Sequence, residues 1–183
     1  MPLTLSRPYR PSSELLSTFG WESVAGGAGG RFVSTTTSAS TLWPTANLAI
    51  YVPVEIPETT TYVKAWVING TVAAGNVDIG LYDEGWVLKA STGATLVAGT
   101  SAMEEIDLTD FTVTAGRYYL GISCSLNTNT VFAQTAAVAG KLAALGCAQE
   151  ASAHPLPATA TPVLMAQTIY PEFGFARRTL VAT

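Results

Sequence analysis

Charge is what this sequence has least of. Asp, Glu, Lys and Arg make up 12% of its 183 residues, about half the ~25% usual in soluble domains. Histidine occurs once, as His154. A hydrolytic triad needs a histidine base, and this one sits in Ser-Ala-His-Pro-Leu-Pro, where the following proline holds it extended. No G-x-S-x-G elbow exists for it to serve, so the sequence predicts a solvated loop residue and no enzyme. The two cysteines, Cys124 and Cys147, are too few for a disulfide framework and match no zinc spacing. Cys124 reads as a small core residue in an apolar strand.

Basic clusters are missing too. The nine Lys and Arg residues are scattered, net charge is −4, and Arg177–Arg178 is the only adjacent pair. Direct nucleic-acid binding therefore lacks its electrostatic footprint. No apolar run approaches the ~20 residues of a membrane-spanning helix, and residues 1–8 show no apolar stretch of the kind a secretory leader carries. Phosphate-binding and dinucleotide fingerprints are absent: Gly26 to Gly30 follows no strand and opens no helix, so it reads as a linker. No cofactor is expected.

Carboxylates give little more. Glu104 and Glu105 are adjacent, so in a strand they face opposite sides and cannot flank one bond together. Asp107 and Asp110 sit near a predicted strand end. Ordinary turn aspartates are the preferred reading there, as for Asp83, and a calcium site with backbone carbonyls is the alternative. Asn69-Gly70-Thr71 fits a glycosylation sequon but is read more simply as a turn.

What the chain does have is apolar and small polar residues. Apolar types reach 48%, mean hydropathy is +0.31, and the polar positions are filled by Thr, Ser, Asn and Gly. Charge normally keeps neighbouring molecules apart, so such a surface suits a subunit covered by partners. A Ser/Thr-rich extracellular monomer is the alternative.

Residues 1–45 read as an extended arm. Pro2, Pro8 and Pro11 restrict it, the Gly26–Gly30 run loosens it, and Leu15, Leu16, Phe19, Trp21 and Trp43 supply apolar anchors for its own domain or a neighbour. From Asn47 the period becomes two. Leu48, Ile50, Val52 and Val54 alternate with Ala49, Tyr51 and Pro53, the proline marking an edge or strand end. Thr60 to Asn69 is apolar on both faces, with Tyr62 and Trp66 expected on the same one. Val77, Ile79 and Leu81 should face inward, and Asp78, Gly80 and Tyr82 outward. Trp86 to Ala90, Ala94 to Ala98, Ala102 to Leu108, Phe111 to Val113, Gly116 to Ser125 and Thr130 to Gln134 follow as strands. A short helix ends at Gly146, residues 151–162 form a proline-rich loop, and Val163 to Ile169 is a last strand.

Short strands at about ten-residue spacing with glycine turns predict an all-β fold, an antiparallel sandwich of jelly-roll or Greek-key type. Val113 to Tyr119 looks like a tyrosine corner, which favours those topologies over a meander. The expected organisation is an arm over 1–45, a sandwich over 46–170 and a tail over 171–183. Aromatic strand residues such as Tyr62, Trp66 and Trp86, with Tyr82 and Tyr119 nearby, are expected at a subunit interface. A sugar platform is the alternative.

Ala46 to Val131 resembles a family of small structural proteins of tailed bacteriophages. The residues that carry the likeness are Ile50-Tyr51-Val52-Pro53, Val67-Ile68-Asn69-Gly70 and Gly75 to Asp83. Ser91-Thr92-Gly93, Asp107-Leu108-Thr109-Asp110, Gly116 to Leu120 and Leu156-Pro157-Ala158-Thr159 continue it. The resemblance covers about half the chain. It implies a β-sandwich component of the virion, either a capsid decoration (cement) protein or a tail or fibre subunit. Its partners would be the major capsid protein or tail proteins, and it would assemble as a homo-oligomer, plausibly a trimer. It carries over no catalytic residue. A carbohydrate-binding or receptor-binding sandwich module is the alternative from another class.

Overall fold

The computed structural model describes residues 15–17, 39–136 and 138–179; at 15–17 and at Ala139 only the backbone is described. In chain order come β1 (Leu15–Ser17), β2 (Ala39–Leu42), β3 (Ala49–Ile56), β4 (Thr60–Ile68) and β5 (Asn76–Asp83). Next are β6 (Leu88–Ser91), β7 (Thr95–Leu96), β8 (Met103–Val113), β9 (Gly116–Cys124) and β10 (Thr130–Thr135). After α1 (Ala139–Ala144) follow β11 (Ala148–Glu150), β12 (Val163–Leu164), β13 (Ile169–Pro171) and β14 (Phe173–Ala176). The fold is all-β, and the paired strands run antiparallel.

One layer is a sheet in the order β12-β11-β3-β9-β5-β6, with β7 also on β5. The other combines β1-β14-β4-β8 with β13-β10-β2. An isolated bridge between Asn69 and Val131 links these two parts. The strand order explains why neighbours are not consecutive: the chain crosses between layers from β3 to β4, from β4 to β5 and from β8 to β9. As a result β9 lies between β3 and β5, as in a jelly-roll. At the last of these crossovers the Tyr118 hydroxyl donates to the Thr114 carbonyl at 3.1 Å, the bond that the Val113–Tyr119 motif predicts.

The main core lies between the layers. Ile50, Val52, Val77, Ile79, Leu81, Leu120, Ile122 and Cys124 come from one side, Ala65, Val67, Val131, Phe173 and Phe175 from the other. Period-two alternation identifies most of these residues. It fails in β4, where the register on β8 shifts between Tyr62 and Lys64. A bulge reverses the phase of everything after it, so Tyr62 joins Ala65 and Val67 in the core while Trp66 points from the opposite face. The two are not on one face as expected.

The sandwich also reaches further along the chain than 46–170. Strand β2 pairs with β10, and Trp43 is 1% exposed, its indole N–H bonded to the Leu48 carbonyl. Strand β14, expected in the tail, pairs with β4 and supplies two fully buried phenylalanines. The two weak strands expected at 102–113 are one, β8, and the single strand expected at 163–169 is divided between β12 and β13 in different sheets. Pro53 lies within β3, beyond the point at Tyr51 where β11 stops pairing on that side, so the ladder has no need there of the N–H that proline lacks. Cys124 and Cys147 are free and buried; burial pushes both thiols up to about 12, which leaves them unreactive near neutrality.

Candidate functional site

The outer face of the large sheet is built in rows. Strand pairing places Ala49, Ser123 and Asp78 in one row across β3, β9 and β5, then Tyr51, Gly121 and Gly80, then Pro53, Tyr119 and Tyr82, and lastly Glu55 and Arg117. Of these, Asp78, Gly80 and Tyr82 were expected to face away from the core. Instead Asp78, Ser123, Tyr51 and Tyr82 are fully buried, because residues 151–162 cross the face as a strap. The strap's Ala153, Leu156 and Ala160 form a second apolar cluster with Ala49, Tyr51 and Tyr82.

The glycines make room for it. A Cβ on Gly80 would come within 2.8 Å of Leu156 Cδ1, and one on Gly121 within 3.1 Å of the Tyr51 ring. Polar bonds then hold the strap along its length. The Ala153 N–H donates to the Asn47 carbonyl at 2.7 Å, and the Leu156 N–H to Asp78 Oδ2 at 2.9 Å. The Tyr82 hydroxyl donates to the Pro157 carbonyl at 2.7 Å. The Ala160 N–H donates to the Trp86 carbonyl at 2.9 Å, and Glu150 takes bonds from the Tyr51 hydroxyl and from Thr161. Burial drives both the Tyr51 and Tyr82 phenols well above their usual range, so they stay protonated and can act as donors.

His154 was expected to be solvated. Its Nδ1 lies 3.0 Å from Ser123 Oγ, and burial, only partly offset by the charge of Asp78, holds its pKa below the usual histidine value. Serine, histidine and aspartate thus come together, which the sequence did not reveal because 78, 123 and 154 are far apart in it. The hydrogen bonds are those of a clasp. Asp78 accepts from the Leu156 N–H and, at 3.3 Å, from the Thr92 hydroxyl, and Ser123 is fully buried, leaving no space for an acyl group beside its oxygen.

Past the end of the strap the outer face opens. The Trp86 and Tyr119 rings stack with centroids 4.0 Å apart and planes at 22°, and Tyr51 and Trp86 form a T-shaped pair with centroids 5.5 Å apart. Both stacked residues are partly exposed. Trp86 has φ +63°, a left-handed conformation that costs a bulky residue about 1–3 kcal/mol. The preceding turn enforces it: Asp83 Oδ1 accepts the Gly85 and Val87 N–H groups at 2.9 and 3.0 Å, and the Trp86 N–H bonds the Asp83 carbonyl. Lys89, 2.6 Å from Asp83, helps hold that carboxylate below its ordinary pKa. The chain neighbours of the two stacked residues, Gly85 and Tyr118, help line an open cleft of about 330 Å³ with Asp83, Glu84, Gly116 and Arg117; the stacked rings themselves do not line it.

Of the residues expected at an interface, Trp43, Tyr62 and Trp66 are at most 3% exposed. Their faces are enclosed by their own chain, which corrects the expectation that they meet a partner. Trp86 is reachable, and Tyr82 and Tyr119 do gather around it, as Tyr62 and Trp66 do not. Phe19 and Trp21 lie outside the described residues, and Leu15 and Leu16 fall in β1, where no side chain is described. Asp107 is paired with Lys64 at 2.8 Å in the middle of β8, not at a strand end. Among the described residues no group of three His, Cys, Asp or Glu is placed to hold a metal ion, and no helix is long and apolar enough to cross a membrane.

A second surface feature is apolar. Leu42, Val72, Leu96 and Leu126 are 62%, 45%, 69% and 44% exposed. Their segments meet at one end of the sandwich: Leu42 pairs with Thr130, whose N–H bonds the Val72 carbonyl. Leu96 pairs with Asn76, and Leu126 packs close to Gly75. Val163 and Leu164, at 63% and 76%, lie on β12 at the edge of the large sheet. Comparison with known proteins gives no match: no family model, no curated protein and no solved structure.

Proposed function

We propose that this chain is a structural protein of a tailed-bacteriophage virion, a capsid decoration subunit that attaches to the particle and to its own copies through apolar surface. The observation that carries this reading is that the exposed Leu42, Val72, Leu96 and Leu126 lie on segments that meet at one end of a sandwich with few charges. Single exposed aliphatics are ordinary, whereas a gathered group of them marks a contact surface. The resemblance of residues 46–131 to phage structural proteins supports the same class, with the major capsid protein as partner and a tail or fibre position as the alternative. Repetition by symmetry makes a small apolar contact effective, at ~25 cal/mol per Å² buried. A homo-oligomer, a trimer in the simplest case, is expected on the particle.

The test begins with the mass of the full-length protein in solution against its 19.1 kDa chain. An oligomer that Leu96→Asp with Leu126→Asp converts to a folded monomer supports the proposal. A wild-type protein that stays monomeric at high concentration and does not bind phage particles counts against it. Removing residues 1–38, which spares β2 and Trp43 but takes the edge strand β1, should abolish incorporation into particles while the rest of the sandwich still folds.

A further inference from the structure

We infer that the Trp86–Tyr119 stack and the cleft beside it form a binding site for an uncharged sugar, one pyranose ring or the end of a neutral glycan. The stack supplies the surface. Two nearly parallel rings 4.0 Å apart are braced by the T-shaped contact of Tyr51 with Trp86, and both are partly exposed to solvent. An aromatic face packs well against the C–H face of a pyranose and loses little entropy on binding, because its two torsions are already fixed.

The backbone supplies an independent observation. Trp86 occupies a left-handed position, φ +63°, where glycine would be unstrained. Strain of this kind collects where a side chain is held for contact. Trp86 and Tyr119 pack against the rim of the second cluster and are only partly buried there, so their packing leaves part of each ring at the surface.

The rim decides the ligand class. Arg117 and Glu84 face each other at 3.8 Å and are 68% and 64% exposed, so both are free to turn toward a ligand. A guanidinium donor and a carboxylate acceptor side by side suit vicinal hydroxyls, each of which can both donate and accept. Glu55 lies opposite Arg117 on β3, and Asp83 is already committed to its turn and to Lys89. Carboxylates therefore outnumber cations around the cleft, which disfavours phosphate-bearing or sialylated ligands. A volume of about 330 Å³, at the small end of the ~300–1,000 Å³ range of ligand pockets, has room for one ring or two.

The site is separate from the apolar end of the sandwich, so its failure would leave the assembly proposal standing. The experiment is a glycan array carrying neutral and sialylated oligosaccharides, probed with the full-length protein, followed by titration of the best neutral binder. The variants are Trp86→Gly, Trp86→Phe and Arg117→Ala, each checked by thermal unfolding. Trp86→Gly relieves the backbone strain but gives up the ring's contacts with Tyr51 and Tyr119; in the folded protein it should lose affinity by about tenfold or more. Trp86→Phe should retain part of the binding, and Arg117→Ala should lose several-fold. Three results would each overturn the assignment: no glycan bound, only anionic glycans bound, or neutral binding unchanged in a folded Trp86→Gly protein.

Discussion

The two faces of the large sheet are made by the same strands but held by different means. Toward the other layer, Ile50, Leu120, Ile122 and Ile79 interlock with a second sheet, and hydrophobic burial alone accounts for the contact. Toward the outside, Asp78, Ser123, Tyr51 and Tyr82 are just as completely buried, yet the cover is a single proline-rich strap. A strap has little apolar surface of its own, with Ala153, Leu156 and Ala160 as its buried apolar residues. Hydrogen bonds must fix its position. One face is therefore sensitive to lost volume, the other to lost partners.

Substitutions can separate these two modes. The largest effect is expected on the inner face: Ile122→Ala should cost about 2–5 kcal/mol, read as a lowered denaturant midpoint for the whole domain. On the outer face Asp78→Ala strands the Leu156 N–H in a buried setting and should cost about 1–3 kcal/mol. Hydrogen exchange should show the loss concentrated at residues 151–162 at first; a uniform loss across all strands would erase the distinction. Gly80→Ala pushes against Leu156 and Leu88 and should loosen the strap by about 1–3 kcal/mol, with the β3–β9 ladder still protected.

The smallest effect is the dependence on pH. His154 has a folded pKa lowered by burial, so its contribution is present above the unfolded value of about 6.5 and is lost as pH falls through the folded one. Strap amides should exchange faster, relative to core amides, as the solution is acidified through that range, and His154→Asn should remove this dependence. An unchanged ratio between strap and core would mean that the Ser123–His154 contact does not help fix the strap.

The sequence was most informative where one face meets one core. Alternation in 48–54 and 77–81 located the inner residues correctly, and the Val113–Tyr119 motif anticipated the hydroxyl bond of Tyr118. It was least informative where burial comes from a distant segment. Nothing local to Asp78 or Tyr82 tells that residues 151–162 will lie over them, and polar types at outward positions normally mean solvent. Nor does the β4 pattern reveal its bulge, since both faces of that segment are apolar and either phase reads equally well. The candidate site was half legible. Tyr82, Trp86 and Tyr119 were expected near one another, though beside Tyr62 and Trp66 too, and the left-handed backbone at Trp86 arises from the Asp83 turn.

By itself the sequence determined an all-β chain with few charges, with antiparallel strands cut by glycine turns, because side-chain period and turn chemistry act over a few residues. Only the tertiary structure decided which outward residues are enclosed, that 39–43 and 171–176 belong to the sandwich, and which aromatic residues remain within reach of a ligand. Those outcomes depend on contacts between segments tens of residues apart, and local patterns carry no record of them.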